Sequence, residues 1–193
     1  IPYEAVSGEA AFYGPKIDFQ VQNVVGREEA ASTNQLDLIM AERLDLSYVG
    51  ADNRPARPHI IHLAPLGTHE RFVAFLIEHY GGVFPTWLAP VQARVLPVGE
   101  SCAEYARKVC ALLRDQLVRA EVDASADTLG KKVRTAQTDK VPSLLVVGDK
   151  EQADGTVTWR RHGSREQVTL PLDTAKAQLL AEIQGRIDWR TGK

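Results

Sequence analysis

Cysteine, long apolar runs and repeats are what this chain has least of. Its two cysteines, Cys102 and Cys110, stand in a stretch of helical pattern. Their spacing lets both share a face without reaching each other as a disulfide, and a reducing compartment is the natural reading. No stretch approaches the ~18 consecutive apolar residues of a membrane span, and the longest, residues 141–148, is strand-sized. There is no internal repeat, no low-complexity tract, and no basic segment leading into an apolar one at the start. Collagen, coiled-coil and low-complexity classes are therefore excluded. The chain opens Ile-Pro-Tyr rather than with Met, which reads as a cut or processed end. What remains is average globular composition, 44% hydrophobic and 25% charged over 193 residues, enough for a sizeable core in one large domain or two small ones.

Neither sign of charge dominates, yet the net −2 is unevenly spread. Up to Ala93 there are 6 Lys and Arg against 11 Asp and Glu, or −5; beyond it there are 17 against 14, or +3. A mildly basic second part permits RNA contact without demanding it, and an ordinary solvated surface fits the same charge.

The apolar pattern divides at a similar place. Ile17, Phe19 and Val21 alternate with polar residues, Val24-Val25-Gly26 reads as a turn, and residues 34–39 form a second extended run, so the pair predicts an antiparallel hairpin. Residues 52–58 hold two prolines and read as loop; Ile60, Ile61 and Leu63 form a short strand. Thr68 is the expected N-cap of a helix carrying Phe72, Phe75, Leu76 and Tyr80, stopped by Gly81-Gly82. Residues 84–90 are a proline-bounded connector and the expected domain boundary.

Beyond the connector the pattern is strand (91–98), helix (Tyr105, Val109, Leu112, Leu113, Leu117), strand (120–124), Lys/Arg-rich helix (129–138) and buried strand (143–147). A hairpin (156–160 with 168–170) and a closing helix (175–187) follow. This alternation predicts an α/β domain with a mixed sheet.

Several strings carry more than periodicity: GEAAFYGPKIDF at residues 8–19, TNQLDL at 33–38, HIIHLAPLGTHERF at 59–72, FPTWLAPVQARVLPV at 84–98 and KVPSLLVVGDKE at 140–151. In this order and register the chain resembles the class II threonyl-tRNA synthetases. The resemblance implies the end of the catalytic domain with its motif 3 at residues 1–90, and the anticodon-binding domain at 91–193. The fold it implies is α+β overall: part of the antiparallel class II catalytic sheet, then an α/β domain with a mixed sheet. The activity it implies is a threonine–tRNA ligase: ATP-dependent activation of threonine, with magnesium, and transfer to tRNA(Thr). A zinc ion, a homodimer, a cytoplasmic setting and no membrane partner come with the family.

Each candidate residue has a physical reading of its own. Tyr13 and Lys16 straddle Gly14-Pro15, a turn able to aim a phenol and an ammonium into a cleft; alone they read equally as a core tyrosine and a solvated lysine. The Gln35 amide both donates and accepts, and Thr33 and Gln35 alternate on a strand, which also suits a cross-strand polar pair. By resemblance Tyr13, Lys16, Thr33 and Gln35 line the threonine and ATP pocket. His62, among apolar neighbours, reads alone as a hydrogen-bonded core histidine; by resemblance it is one of three zinc ligands, the other two lying upstream of Ile1. Such a site takes the substrate amino and hydroxyl groups and rejects valine. Arg71, after Glu70 in the first turn of a helix, suits either a surface salt bridge or a phosphate and base clamp; by resemblance it is the motif 3 arginine that holds ATP. In the second domain the resemblance assigns Arg134, Lys140, Glu151 and Arg160 to the anticodon, cations for the backbone and Glu151 for a base amino group. The four are expected on one face of the sheet.

Departures from the family pattern are also present. Leu63 stands where an arginine is usual after the zinc histidine, and Ala30, Ala31 and Ser32 stand for Gln-Cys-Gly. Ala126 and Lys140 replace an asparagine and an arginine that read the anticodon, and lysine lacks the forked contact of arginine to a base. The chain alone is expected neither to form threonyl adenylate nor to hold zinc well. Two other readings compete: a non-catalytic paralogue that binds tRNA or other RNA, and a structural interaction module.

Overall fold

Strand β1 (Lys16–Gln22) and strand β2 (Glu28–Asp37) pair antiparallel around the Asn23–Arg27 turn, where Gly26 takes φ +80°. The computed structural model describes residues 2–191. β2 begins six residues earlier than residue 34, where its apolar pattern starts. Its first half, Glu28 to Ser32, has little strand propensity, and the ladder from Gln22↔Glu28 onward holds it extended. The short helix α1 (Met40–Arg43) and strand β3 (Tyr48–Val49) follow, and β3 forms a two-residue ladder with β4 (Pro55–Ala56), which lies inside the run expected to be loop. Strand β5 (Ile60–Ala64) then joins β2 to give the sheet order β1-β2-β5. Thr68 caps helix α2 (His69–Tyr80): its Oγ1 accepts the Arg71 amide at 3.3 Å. Gly81 and Gly82, both at positive φ, end the helix.

The chain forms two compact units, divided between His79 and Tyr80. The connector at residues 84–90 thus belongs to the second unit rather than dividing the two, and the division falls at the end of α2 instead. Thr86 Oγ1 donates to Glu182 Oε2 at 3.0 Å, and the Arg119 guanidinium donates to Trp87 and Ala89 carbonyls. Among the described residues of the first unit only Asp37 and Ala41 are buried.

The second unit carries the larger core. Its sheet runs β10-β9-β8-β6-β7, built from β6 (Ala93–Pro97), β7 (Ala120–Val122), β8 (Ser143–Val147), β9 (Thr156–Arg161) and β10 (Gln167–Pro171). β7, β6 and β8 are parallel; β9 and β10 run antiparallel to their neighbours. Helix α3 (Ala103–Arg114) and helix α6 (Leu172–Gly185) bury Val109, Leu113, Ala175 and Leu179 against Val95, Leu145, Val157 and Trp159 on one face. Helix α4 (Leu129–Thr138) packs Ala136 on Leu96 and Leu144 on the other. Each fully buried leucine contributes about 1.5–3 kcal/mol.

Three details depart from the periodicity. Leu117 lies beyond α3, at φ +61° and 90% exposed, because the helix has already turned at Asp115. Helix α5 (Asp149–Asp154) fills the stretch between the 143–147 strand and the hairpin, to which the pattern assigns no element; six residues are too few to show a period. Cys102 sits in a 3-10 turn and Cys110 in α3, both buried and free. Among the described residues no helix is long and apolar enough to cross a membrane.

Candidate substrate face and nucleic-acid interface

Residues directly opposed in an antiparallel ladder point to the same side of the sheet. The registers Lys16↔Gln35↔His62 and Asp18↔Thr33↔Ala64, with Asp37↔Ile60, therefore place Lys16, Asp18, Thr33, Gln35, Asp37 and His62 on one face of the first unit. The opposite face carries Ile17, Phe19, Ile61 and Leu63, all exposed in this chain. Tyr13 reaches the polar face from the edge. Gly14 lies against β2 so closely that a Cβ there would collide with the Leu36 carbonyl. The backbone bonds Leu36 N to Pro15 O and Leu38 N to Tyr13 O, both 3.0 Å, hold the turn in place.

The polar side chains on this face are already engaged with one another. Tyr13 Oη donates to Gln35 Oε1 at 2.8 Å, which leaves the Gln35 amide NH₂ to face a ligand. Lys16 Nζ lies 2.6 Å from Asp18 Oδ2, and Thr33 Oγ1 donates to Asp18 Oδ1 at 2.5 Å. The Lys16 and then the Thr33 hydrogen bond hold the Asp18 carboxyl below its ordinary range, and Asp18 in turn raises the Lys16 ammonium. His62 Nε2 lies 2.9 Å from Asp37 Oδ2, while Asp37 Oδ1 accepts the Ile39 and Met40 amides at 3.0 and 2.9 Å. These bonds, the one from His62 foremost, push the Asp37 carboxyl down. The Tyr13 and His62 rings meet edge to face at 5.9 Å.

His62 Nδ1 makes no hydrogen bond to another described residue and is chemically fit to ligate a metal. Among the described residues no three His, Cys, Asp or Glu side chains gather to hold one. Asp18 and Asp37 were not among the candidates read from the sequence. The signal for them was the period-2 spacing Lys16/Asp18, opposite the apolar Ile17, Phe19 and Val21 of β1, and Thr33/Gln35/Asp37 on the next strand.

Arg71 lies beyond one end of this group. It lines a shallow recess with Val21, Ala30, Ala31, Gly67 and Phe72, at the hairpin end of β2. Along β2, Ala31 is two residues, roughly 7 Å, from Thr33 and six residues, roughly 20 Å, from Asp37, so Arg71 lies at the Thr33 end of the polar row and far from His62 and its partner Asp37. Glu29 lines the same recess, with Leu66 and Phe75 on its apolar side.

In the second unit Leu144 packs on the α4 side of the sheet and opposes Arg160, whereas Leu145 opposes Trp159 on the α3 side. Arg160 and Thr158 therefore share the α4 side, and α4 itself carries Arg134, exposed. Glu151 reaches that side too: Thr158 Oγ1 donates to its Oε1 at 2.8 Å and Gly148 N to its Oε2 at 3.0 Å. Burial works against the charged carboxylate, but these hydrogen bonds outweigh it and its pKa lies below the ordinary range. Both Glu151 oxygens thus already accept a bond, and Glu151 caps α5. Lys140 follows α4 at φ +57°, its Nζ donating to Gly81 O at 2.5 Å. Arg160 Nε donates to Ser164 O at 3.0 Å, leaving the other guanidinium nitrogens for a ligand. Lys132, on the buried side of α4, ties Pro97 O and Asp123 O at 3.1 and 3.4 Å and so anchors the helix that carries Arg134.

Comparison with known proteins assigns both units. Residues 3–80 match the tRNA synthetase class II core domain (G, H, P, S and T), and residues 92–182 match the anticodon binding domain. A threonine–tRNA ligase of Geobacillus sp. is 49% identical over 185 residues, 95% of this chain and 29% of the relative. That of Listeria monocytogenes serovar 1/2a is 50% identical over 182 residues, 94% of this chain and 28% of the relative. A crystal structure described as the RNA binding domain of threonyl-tRNA synthetase from Cryptosporidium parvum superposes with a TM-score of 0.81. It shows 37% identity and covers 90% of this chain and 44% of the other. The chain spans less than a third of the length of the curated relatives it matches. It belongs to the class II tRNA synthetases, joining a segment of their core domain to an anticodon-binding domain, and is similar along nearly its whole length to threonine–tRNA ligases.

Proposed function

We propose that this chain is part of a threonine–tRNA ligase, its first unit contributing one wall of the threonine and ATP site and its second unit binding the anticodon of tRNA(Thr) in a cytoplasmic setting. The observation that supports this best is the single polar face on which Lys16, Thr33, Gln35 and His62 stand in register, with Tyr13 leaning over it. Tyr13 orients Gln35 so that its amide donates outward, and Asp18 keeps Lys16 charged and extended along the sheet. His62 offers one ring nitrogen as a ligand, and zinc, when bound there with ligands from elsewhere, supplies positions for an amino and a hydroxyl group. Arg71 supplies a planar cation at the recess for triphosphate and base. One metal ligand and one arginine do not make a complete clamp for phosphoryl chemistry. Threonine-dependent ATP–pyrophosphate exchange by this chain alone is therefore expected at background, and exchange above it refutes the assignment of a partial site.

Arg134, Lys140 and Arg160 supply the cationic side of the anticodon surface. Glu151, whose oxygens already hold Thr158 and the Gly148 amide, takes a base amino group only as a further acceptor contact. Arg160, with free guanidinium nitrogens, is assigned to a base edge and Lys140 to a phosphate. Titration of the chain with tRNA(Thr) and with an anticodon-swapped tRNA at several salt concentrations tests this. Arg160→Ala should cost about 1–3 kcal/mol on tRNA(Thr) and narrow the difference between the two RNAs, while Lys140→Ala weakens both alike. Equal affinities that Arg160→Ala leaves unchanged would instead describe an ordinary solvated surface.

A further inference from the structure

We infer that Asp37 is a positioning residue for His62: it holds the imidazole in the Nε2–H tautomer and leaves Nδ1 as the ring nitrogen open to a metal ion. The inference rests on the reading of His62 as a metal ligand in the proposed function, and goes beyond it by assigning which nitrogen ligates and what sets that choice.

The argument starts from the carboxylate. Asp37 is 1% exposed, and its Oδ1 is taken by two backbone donors, the Ile39 and Met40 amides. Those donors fix the plane of the carboxylate, so Oδ2 has one direction left, and there it meets His62 Nε2 at 2.9 Å. A carboxylate only accepts, so the nitrogen facing it carries the proton and the other carries the lone pair. The Tyr13 ring, 5.9 Å away and at 64° to the imidazole, packs against it and restricts its rotation. Tyr13 is itself tied to Gln35, the ladder partner of His62. The imidazole is thus oriented by a carboxylate that cannot turn and by a ring that blocks its swing. A ligating histidine whose second nitrogen donates to a carboxylate is more basic and better oriented than one left free.

The same geometry makes Asp37→Asn an inverting substitution. Ile39 and Met40 continue to claim the carbonyl oxygen, so the amide NH₂ takes the place of Oδ2 and donates to His62 Nε2. The ring proton is then driven to Nδ1, which blocks the nitrogen assigned to the metal. The size and shape of the side chain are otherwise unchanged.

Long-range proton–nitrogen NMR of the full chain with ¹⁵N-labelled histidine, at about pH 8 where imidazoles are neutral, reads the tautomer directly. The His62 signals are assigned by their loss in His62→Gln. The wild type should show the Nε2–H form, and Asp37→Asn should move the tautomer ratio about tenfold or more toward Nδ1–H. A wild-type Nδ1–H form, or a ratio unmoved in a folded Asp37→Asn chain, overturns the inference; the wild-type spectrum decides even if the variant does not fold. Zinc chloride in large excess, where a single imidazole binds the ion weakly without a complete site, should perturb His62 at Nδ1, and do so less in Asp37→Asn. Perturbation confined to the other histidines refutes the ligand reading of His62 itself, a failure distinct from a wrong tautomer.

Discussion

Glu182 is a partly buried carboxylate whose loss should cost the second unit about as much as a core truncation. It sits on α6 and accepts two hydrogen bonds, from the Arg161 guanidinium on β9 and from the Thr86 hydroxyl in the connector. Thr86 is fully buried, and the Arg161 and Glu182 side chains are 25% and 15% exposed. Truncation to alanine leaves a buried hydroxyl without its acceptor, a loss of about 1–3 kcal/mol. It also removes the carboxylate from a partly buried arginine, about 1–2 kcal/mol, between the small value of a surface pair and the large one of a buried pair. Arg161 keeps its hydrogen bond to Ser143 Oγ and its stacking on Trp159, which limits that second loss. Glu182→Ala should therefore destabilise by about 2–4 kcal/mol, or about 1–2 M in the urea midpoint for an m of about 2 kcal/mol/M. Glu182→Gln, which still accepts from Arg161 and donates to Thr86, should cost about half as much or less. All three tryptophans, Trp87, Trp159 and Trp189, lie in this unit, so their fluorescence follows its unfolding. A change under about 0.5 kcal/mol for the alanine variant, or a glutamine variant as damaged as the alanine one, would refute the claim that this node joins connector to sheet.

Leu117 sits at φ +61° with its side chain 90% exposed, so Leu117→Gly relieves left-handed strain and forfeits almost no burial. After the entropy glycine adds to the unfolded chain, it should raise stability by about 0.5–1 kcal/mol; a lower urea midpoint would contradict this. Burial, with the nearby Lys140 charge second, lowers the His162 pKa from 6.5. The folded state then binds fewer protons, so stability should fall as pH drops through the ordinary histidine range and level off below the folded pKa. Urea midpoints from about pH 8 to pH 5 should show an extra fall in the wild type that His162→Gln lacks; parallel curves would sink the assignment.

Helix α4 and strand β8 are legible in the sequence to the residue, because Leu129–Thr138 and Ser143–Val147 are bounded by strong signals at both ends. The hairpin, the α2 cap and the mixed α/β order of the second unit were legible for the same reason. Tyr13, Thr33, Gln35 and His62 became candidates through the resemblance carried by strings such as FYGPK and TNQLD; local pattern alone reads them equally as core or cross-strand residues. Two-residue alternation implied that Lys16 shares a face with Asp18, yet nothing local said that β2 would lay Gln35 and Thr33 beside them. Register between strands is set by pairing across the sheet, and one residue of slip would turn every side chain to the other face. That is why Asp18 and Asp37 became visible only with the ladder, and why the first half of β2, with its weak propensity, was not read as strand. The place of the connector was a tertiary decision as well. Residues 84–90 carry little periodicity, and their membership in the second unit comes from Thr86, Trp87 and Ala89 meeting Glu182 and Arg119 from distant parts of the chain.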